Sequence, residues 1–184
     1  MADEFRTRDF VRICLFAAFI AALGLLPKFD LPIMAGVPVT AQTMGVMLAG
    51  VVLGPRNGVL AVVLFIFIVA LGMPLLAGGR GGLAVFFGPT GGFVLGWIPG
   101  AWLAGLAIVR LPIGNRFVKA FTASIIGGVF VVYALGIPWY AAVASLELPL
   151  AAAGSLVFVP GDVFKALAVA AIISGLPRHQ LHTG

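Results

Sequence analysis

The chain has 184 residues, of which 62% are hydrophobic and 9% charged, with a net charge of +5. A soluble domain carries roughly 25% charged residues, so this chain lacks the polar groups to cover a water-facing surface, and the bilayer is its solvent. The length suits one compact bundle, 1–184, with no room for a second domain. Basic patches with interleaved aromatics are absent, which gives no support to nucleic acid as a partner, and the lone Cys14 excludes an intrachain disulfide or a cysteine-based metal site.

Residues 1–12 mix Asp3, Glu4 and Asp9 with Arg6, Arg8 and Arg12, and the apolar run that follows meets Pro27 and Lys28 without a small-x-small cleavage site. The run therefore reads as a retained first helix, 10–26. A loop with Pro27, Lys28, Asp30, Pro32 and Pro38 leads to a short second span, 40–53. Gly54, Pro55, Arg56, Asn57 and Gly58 form a tight turn, because Gly and Pro break helices and Asn-Gly favours turns. The third span is 59–71, followed by a Gly-rich stretch, 72–92, and a fourth span over about 90–109. A turn from Arg110 to Arg116 precedes the fifth span, 118–135. The connection 136–150 holds Pro138, Trp139, Tyr140, Glu147 and Pro149; the sixth span, interrupted at Pro160, ends at Leu176 before Pro177 and Arg178. His179 and His182 lie in the polar tail, outside every span. A span needs about 20 mainly apolar residues, and the expected fold is an all-α integral membrane protein with six transmembrane helices.

Six spans put both termini on one side. Arg6, Arg8, Arg12, Arg56, Arg110, Arg116, Lys119 and Arg178 collect on that side, against Lys28 and Arg80 on the other. The positive-inside rule makes both termini cytoplasmic. The cytoplasmic connections are blunt turns, whereas the outer ones are long and rich in Gly, Pro and aromatics. Such backbone at membrane depth is tolerated only where it is buried or lines a cavity, which points to a covered pocket in the outer half.

Three helices begin just after a proline: Pro38 before Thr40, Pro89 before Thr90 and Pro160 before Asp162. Pro suits a first helical turn and Thr or Asp an N-cap. Three helix N-termini then face the outer region, and unpaired N–H groups there favour an anion. The bland reading is that these prolines only stop helices. Asp162 and Lys165 are three apart, so both occupy one helix face. At ~1.5 Å per residue, Asp162 stands about 21 Å above Leu176, in the outer third of a core ~30 Å thick. A charge in the bilayer costs at least ~2.5 kcal/mol and turns inward to a partner or ligand; a purely structural ion pair is the competing reading. Lys165 and Arg80 add full charges, so the expected ligand is a small molecule with a carboxylate or similar group.

The segments 36–43 (GVPVTAQT), 71–79 (LGMPLLAGG), 88–92 (GPTGG) and 160–165 (PGDVFK) resemble the BioY family, the biotin-specific substrate-binding S subunits of energy-coupling-factor (ECF) transporters. The resemblance runs from the first helix to the last, and the four motifs in this order are specific. It implies six transmembrane helices in the bacterial cytoplasmic (inner) membrane, and biotin as the transported ligand rather than a cofactor. It also implies a transmembrane coupling subunit and two ATPase subunits as partners, or a mode in which the chain works alone or as a homo-oligomer. By the resemblance, Asp162 and Lys165 match the charged pair that contacts biotin. Thr40 and Gln42 match the polar positions of the first outer loop. Gly78, Gly79, Gly81 and Gly82, with the 88–92 segment that includes Gly91, match the loop over the pocket. Arg80 stands where the family pattern has glycine; a carboxylate contact and a water-facing position are its two readings.

Biotin carries a ureido ring with two N–H donors and a carbonyl, an apolar thiophane ring and a carboxylate tail. Asp162, Lys165, Thr40 and Gln42 supply acceptors and donors for the polar ends, and Phe86, Phe87, Trp97 or Trp139 can cover the apolar ring. The first helix carries Ala17, Ala18, Ala21 and Ala22. Small residues four apart let helices approach closely in lipid, and the resemblance implies docking of the coupling subunit through Ala17/Ala21 or Ala18/Ala22.

No G-x-x-x-x-G-K-[ST] loop is present, so ATP binding through that motif is not expected. A small-solute channel or facilitator for another carboxylate-bearing vitamin is the alternative, but it needs polar residues in the inner half of the spans, which are almost wholly Ala, Val, Ile, Leu and Gly. A membrane enzyme lacks a His, Cys or second carboxylate placed to help Asp162 or Lys165. The expectation is a non-enzymatic biotin-binding transport subunit.

Overall fold

The computed structural model describes residues 7–30 and 37–176. Asp3, Glu4, Arg6, Pro32, Gly36, Pro177, Arg178, His179 and His182, which bear on the expectations above, lie outside them. Among the described residues the regular structure is helical, apart from a two-residue antiparallel pair, β1 (Phe29–Asp30) with β2 (Pro38–Val39), and an isolated bridge between Leu76 and Arg80. Among the described residues, four helices are long and apolar enough to cross a membrane: Gln42–Ala70, Gly91–Arg110, Arg116–Ala144 and Leu148–Gly175.

Helix α1 (Thr7–Gly24) buries Ile13, Ala17, Ile20 and Leu23, one stripe at helical spacing. Helix α2 (Gln42–Ala70) is broken at Gly54, whose φ of 79° and ψ of −178° lie outside the helical region. Glycine tolerates that conformation, and Pro55 restarts the helix as its first residue. The chain folds back there: a Cβ on Gly58 would stand 2.8 Å from the carbonyl oxygen of Ala49. The turn expected from the sequence is therefore present, with limbs 42–53 and 55–70.

After the loop 71–83 come a short α3 (Ala84–Phe87) and α4 (Gly91–Arg110). Asn115 caps α5 (Arg116–Ile125), its side chain accepting from the Val118 N–H at 3.1 Å. A π-helical turn, Ile126–Val131, joins α5 to α6 (Val132–Ala144) without a break. The expected loop over 136–150 is accordingly corrected: residues up to 144 are helical, Pro138 included, and the helix stops where Ser145 turns left-handed at φ 54°. Helix α7 (Leu148–Ser155) passes through a 3₁₀ turn, Leu156–Phe158, into α8 (Val159–Gly175). Pro160 sits in the first turn of α8 and does not interrupt it.

Helix α2 packs against α1, α4 and α8, α4 packs on α6, and α5 packs on α8. Small residues make these approaches close. A Cβ on Gly50 would stand 2.5 Å from the Ala101 carbonyl oxygen, and Gly127 in the π-helical turn lies against the Gly100 carbonyl. Ile20, Met47, Val51, Phe65, Val169 and Ile173 fill the core. Arg116 secures one end by donating to the carbonyls of Ile173 and Leu176, both at 2.9 Å, at the C-terminus of α8. The other end, where α4 and α8 begin, holds the cavity.

Candidate functional site

A cavity of about 600 Å³, its open mouth included, lies among the starts of α2, α4 and α8, the 76–80 loop and the side of α6. Thr40, Gln42, Arg80, Asp162 and Lys165, all expected from the sequence, line it. Thr43 and Tyr133, which the sequence reading did not single out, line it as well.

Asp162 is buried, at 5% exposure, and three side chains converge on it. Lys165 donates to its Oδ1 at 2.8 Å, Thr43 Oγ1 donates to Oδ1 at 3.3 Å, and the Tyr133 hydroxyl donates to Oδ2 at 2.5 Å. Lys165 also donates to Thr43 Oγ1, at 3.0 Å. The network ties α2, α6 and α8 together around one carboxylate. Burying such a charge without these donors would cost several kcal/mol. The expected capping roles give way to it. Asp162 lies inside the first turn of α8, and neither Thr90 nor any residue at the α2 or α8 N-cap makes a side-chain capping bond. Thr90 instead accepts from Arg80 Nη1 at 3.3 Å.

Arg80 also donates through Nε to the Ala77 carbonyl at 3.2 Å, and it stands on the cavity wall. The loop carrying it closes by paired backbone bonds between Leu76 and Arg80, with Gly78 and Gly79 at positive φ between them. Gly79 is exposed and off the cavity wall. Gly91 is also off the wall: it is buried where a Cβ would run into the Phe86 carbonyl, and it lets α4 start tightly against α3. Both glycines shape the surround.

Gln42 fastens the loop. Its amide donates to the carbonyls of Ile20 at 3.2 Å and Leu75 at 3.0 Å, and its oxygen accepts the Ala77 N–H at 3.0 Å. Both amide N–H groups are thereby engaged within the protein.

Among the aromatics expected to cover a ring, Trp97 lines the cavity, joined by Phe93 and Phe158; Phe86, Phe87 and Trp139 do not. Trp139 reaches back from α6 to donate to the Gly88 carbonyl at 3.0 Å, bracing the 88–92 segment. The small residues of α1 divide by face. Ala17 is buried and Ala21 half-buried in the bundle, whereas Ala18 and Ala22 are exposed. Among the described residues no cluster of His, Cys, Asp and Glu has the makings of a metal site.

Fold and site together define a multi-pass membrane protein with a cavity at one end of its helices. The chain belongs to the BioY family, whose model matches residues 1–181. It is 49% identical to the biotin transporter BioY of Rhizobium etli over 93% of this chain and 96% of that one. It is 43% identical to the biotin transporter BioY of Rhodobacter capsulatus over 94% and 95%. Among solved structures, it superposes with a TM-score of 0.87 on the S-component for biotin from an ECF-type ABC transporter, at 31% identity over 95% of this chain and 93% of that one.

Proposed function

We propose that this protein binds biotin at the outer face of the cytoplasmic membrane and delivers it inward as the S subunit of an energy-coupling-factor transporter. The observation that carries this reading is a cavity with a buried Asp162–Lys165 pair on its wall, in a chain similar throughout to biotin transporters. In this reading the polar wall of Asp162, Lys165, Thr43 and Thr40 takes the ureido ring. Phe93, Trp97 and Phe158 cover the thiophane ring, and Arg80 takes the carboxylate. Gln42, Gly79 and Gly91 hold the loop that forms the rim.

The buried core, which includes Met47, Val51, Ala101, Ala104 and Val169, is predominantly apolar. This favours a binding subunit moved by partners over an open channel, and the function is transport rather than catalysis.

In this reading limbs 42–53 and 55–70 are two crossings and join α1, α4, the continuous helix Arg116–Ala144 and Leu148–Gly175 as six membrane helices in one domain; an even count puts both termini on one side, and the positive-inside rule supports the cytoplasm for it. Ala18 and Ala22, on the outward face of α1, are the register for docking a transmembrane coupling subunit, itself driven by two ATPase subunits.

The test is equilibrium binding of labelled biotin to the purified protein in detergent, competed by desthiobiotin, lipoate and thiamine. Binding displaced by desthiobiotin and not by lipoate or thiamine is expected. A folded protein that binds no biotin overturns the assignment.

A further inference from the structure

The hydrogen-bond inventory of the Asp162 network leaves few open positions. A carboxylate offers about four lone-pair sites. Lys165 and Thr43 occupy Oδ1, and Tyr133 occupies one side of Oδ2, which leaves one acceptor position on Oδ2. An ammonium has three donors; among the described residues Lys165 spends two, on Asp162 Oδ1 and Thr43 Oγ1. One acceptor and one donor thus remain on two residues that both line the cavity. Their complement is a planar edge carrying an N–H beside a C=O, which a cyclic urea or lactam presents and a carboxylate does not.

We propose that Tyr133 is a specificity-determining positioning residue: by occupying one side of Asp162 Oδ2, it limits the carboxylate to a single ligand N–H. The Asp162–Lys165 pair then reads one N–H/C=O edge rather than two donors. This rests on the biotin reading above and assigns the pair to the ureido end of that ligand. Tyr133 is held for the task. Its ring packs edge-to-face on Phe93 with centroids 6.0 Å apart, and it comes from α6, whereas its partner is on α8, so its hydroxyl closes the site from the opposite wall. A phenylalanine keeps that packing and loses only the donor.

The probe that separates positioning from a purely structural role is 2-iminobiotin, in which a cationic, donor-only guanidinium replaces the urea near neutral pH. Facing Lys165, it meets a second cation and no acceptor for the lysine's remaining N–H. Wild-type protein is expected to bind biotin at least 10-fold more tightly than 2-iminobiotin. Tyr133→Phe is expected to lose about 10- to 150-fold in biotin affinity, the range for a hydrogen bond to a charged group, while 2-iminobiotin loses less, because a second acceptor position on Asp162 is released. The ratio of the two dissociation constants therefore falls. Equal losses for both ligands overturn the proposal and leave the biotin assignment standing. Equal affinities in the wild type overturn it as well, and need no variant to fold. Wild-type protein that binds neither ligand overturns the biotin reading and the proposal together.

Discussion

Asp162 shows how little a membrane interior tolerates an incomplete polar group. Its carboxylate is stable there because Lys165, Thr43 and Tyr133 each donate to it. Removing one partner of a buried pair costs about 3–5 kcal/mol. Lys165→Ala is therefore expected to weaken biotin binding by about 100-fold or more, with Thr43→Val losing about 10-fold, both read by equilibrium binding on protein of verified detergent stability. Unchanged affinity in a folded Lys165→Ala protein would remove Lys165 from the site. Gln42 makes a different prediction. Gln42→Ala removes the partners that Gln42 supplies to the Ala77 N–H and the Leu75 carbonyl, and a second donor from the Ile20 carbonyl of α1, at about 1–3 kcal/mol for each buried group left unsatisfied. Its melting temperature in detergent is expected to fall, and saturating biotin to restore part of the loss, since a ligand that binds only the folded state stabilises it. The Asp162–Lys165 pair was legible from spacing alone, because two opposite charges three apart in an apolar run have no bland solvent role. Thr43 and Tyr133 were not: a single hydroxyl in a span looks like ordinary packing until the fold brings residues 119 and 29 positions away onto one carboxylate.

Helix α1 and the helix joining α5 to α6 show where sequence pattern stops short. Four alanines at 17, 18, 21 and 22 permit two registers, and only packing against the bundle separates a buried Ala17 from an exposed Ala18. Ala17→Leu is expected to destabilise the bundle by about 1–3 kcal/mol through overpacking. Ala18→Leu and Ala22→Leu are expected to retain stability and biotin binding, yet to lose copurification with a coupling subunit. Wild-type copurification of both outward variants would contradict the docking face. The connection 136–150 reads as a loop because Gly136, Pro138 and Pro149 are all breakers by propensity. The helix nevertheless continues to Ala144, and Trp139 from this extension braces the rim of the cavity. Membrane helices keep such residues because neighbouring groups and local 3₁₀ or π adjustments satisfy the freed backbone.

The arrangement of the molecule follows from one asymmetry. The end with the cavity carries a folded loop, a strand pair and helix starts, and the opposite end carries short turns and most of the described basic residues. Composition made the membrane legible, and the breaks at Gly54–Gly58 and Arg110–Arg116 made most of the chain path legible. Which residues meet inside the cavity depended on helix rotation and on the loop that Gln42 holds, neither of which a linear pattern encodes. The proposed orientation is testable in a Cys14→Ser background. A cysteine at Leu83 is expected to react with a membrane-impermeant maleimide in intact cells, and a cysteine at Gly114 only after permeabilisation; the reverse pattern would invert the topology. The most direct measurement for the whole account is a structure of the biotin complex. It is predicted to show the ureido ring in the cavity, with an N–H on Asp162 and the carbonyl on Lys165, and the carboxylate toward Arg80. Biotin found elsewhere, or with its carboxylate against Lys165, would contradict the assignment of this wall.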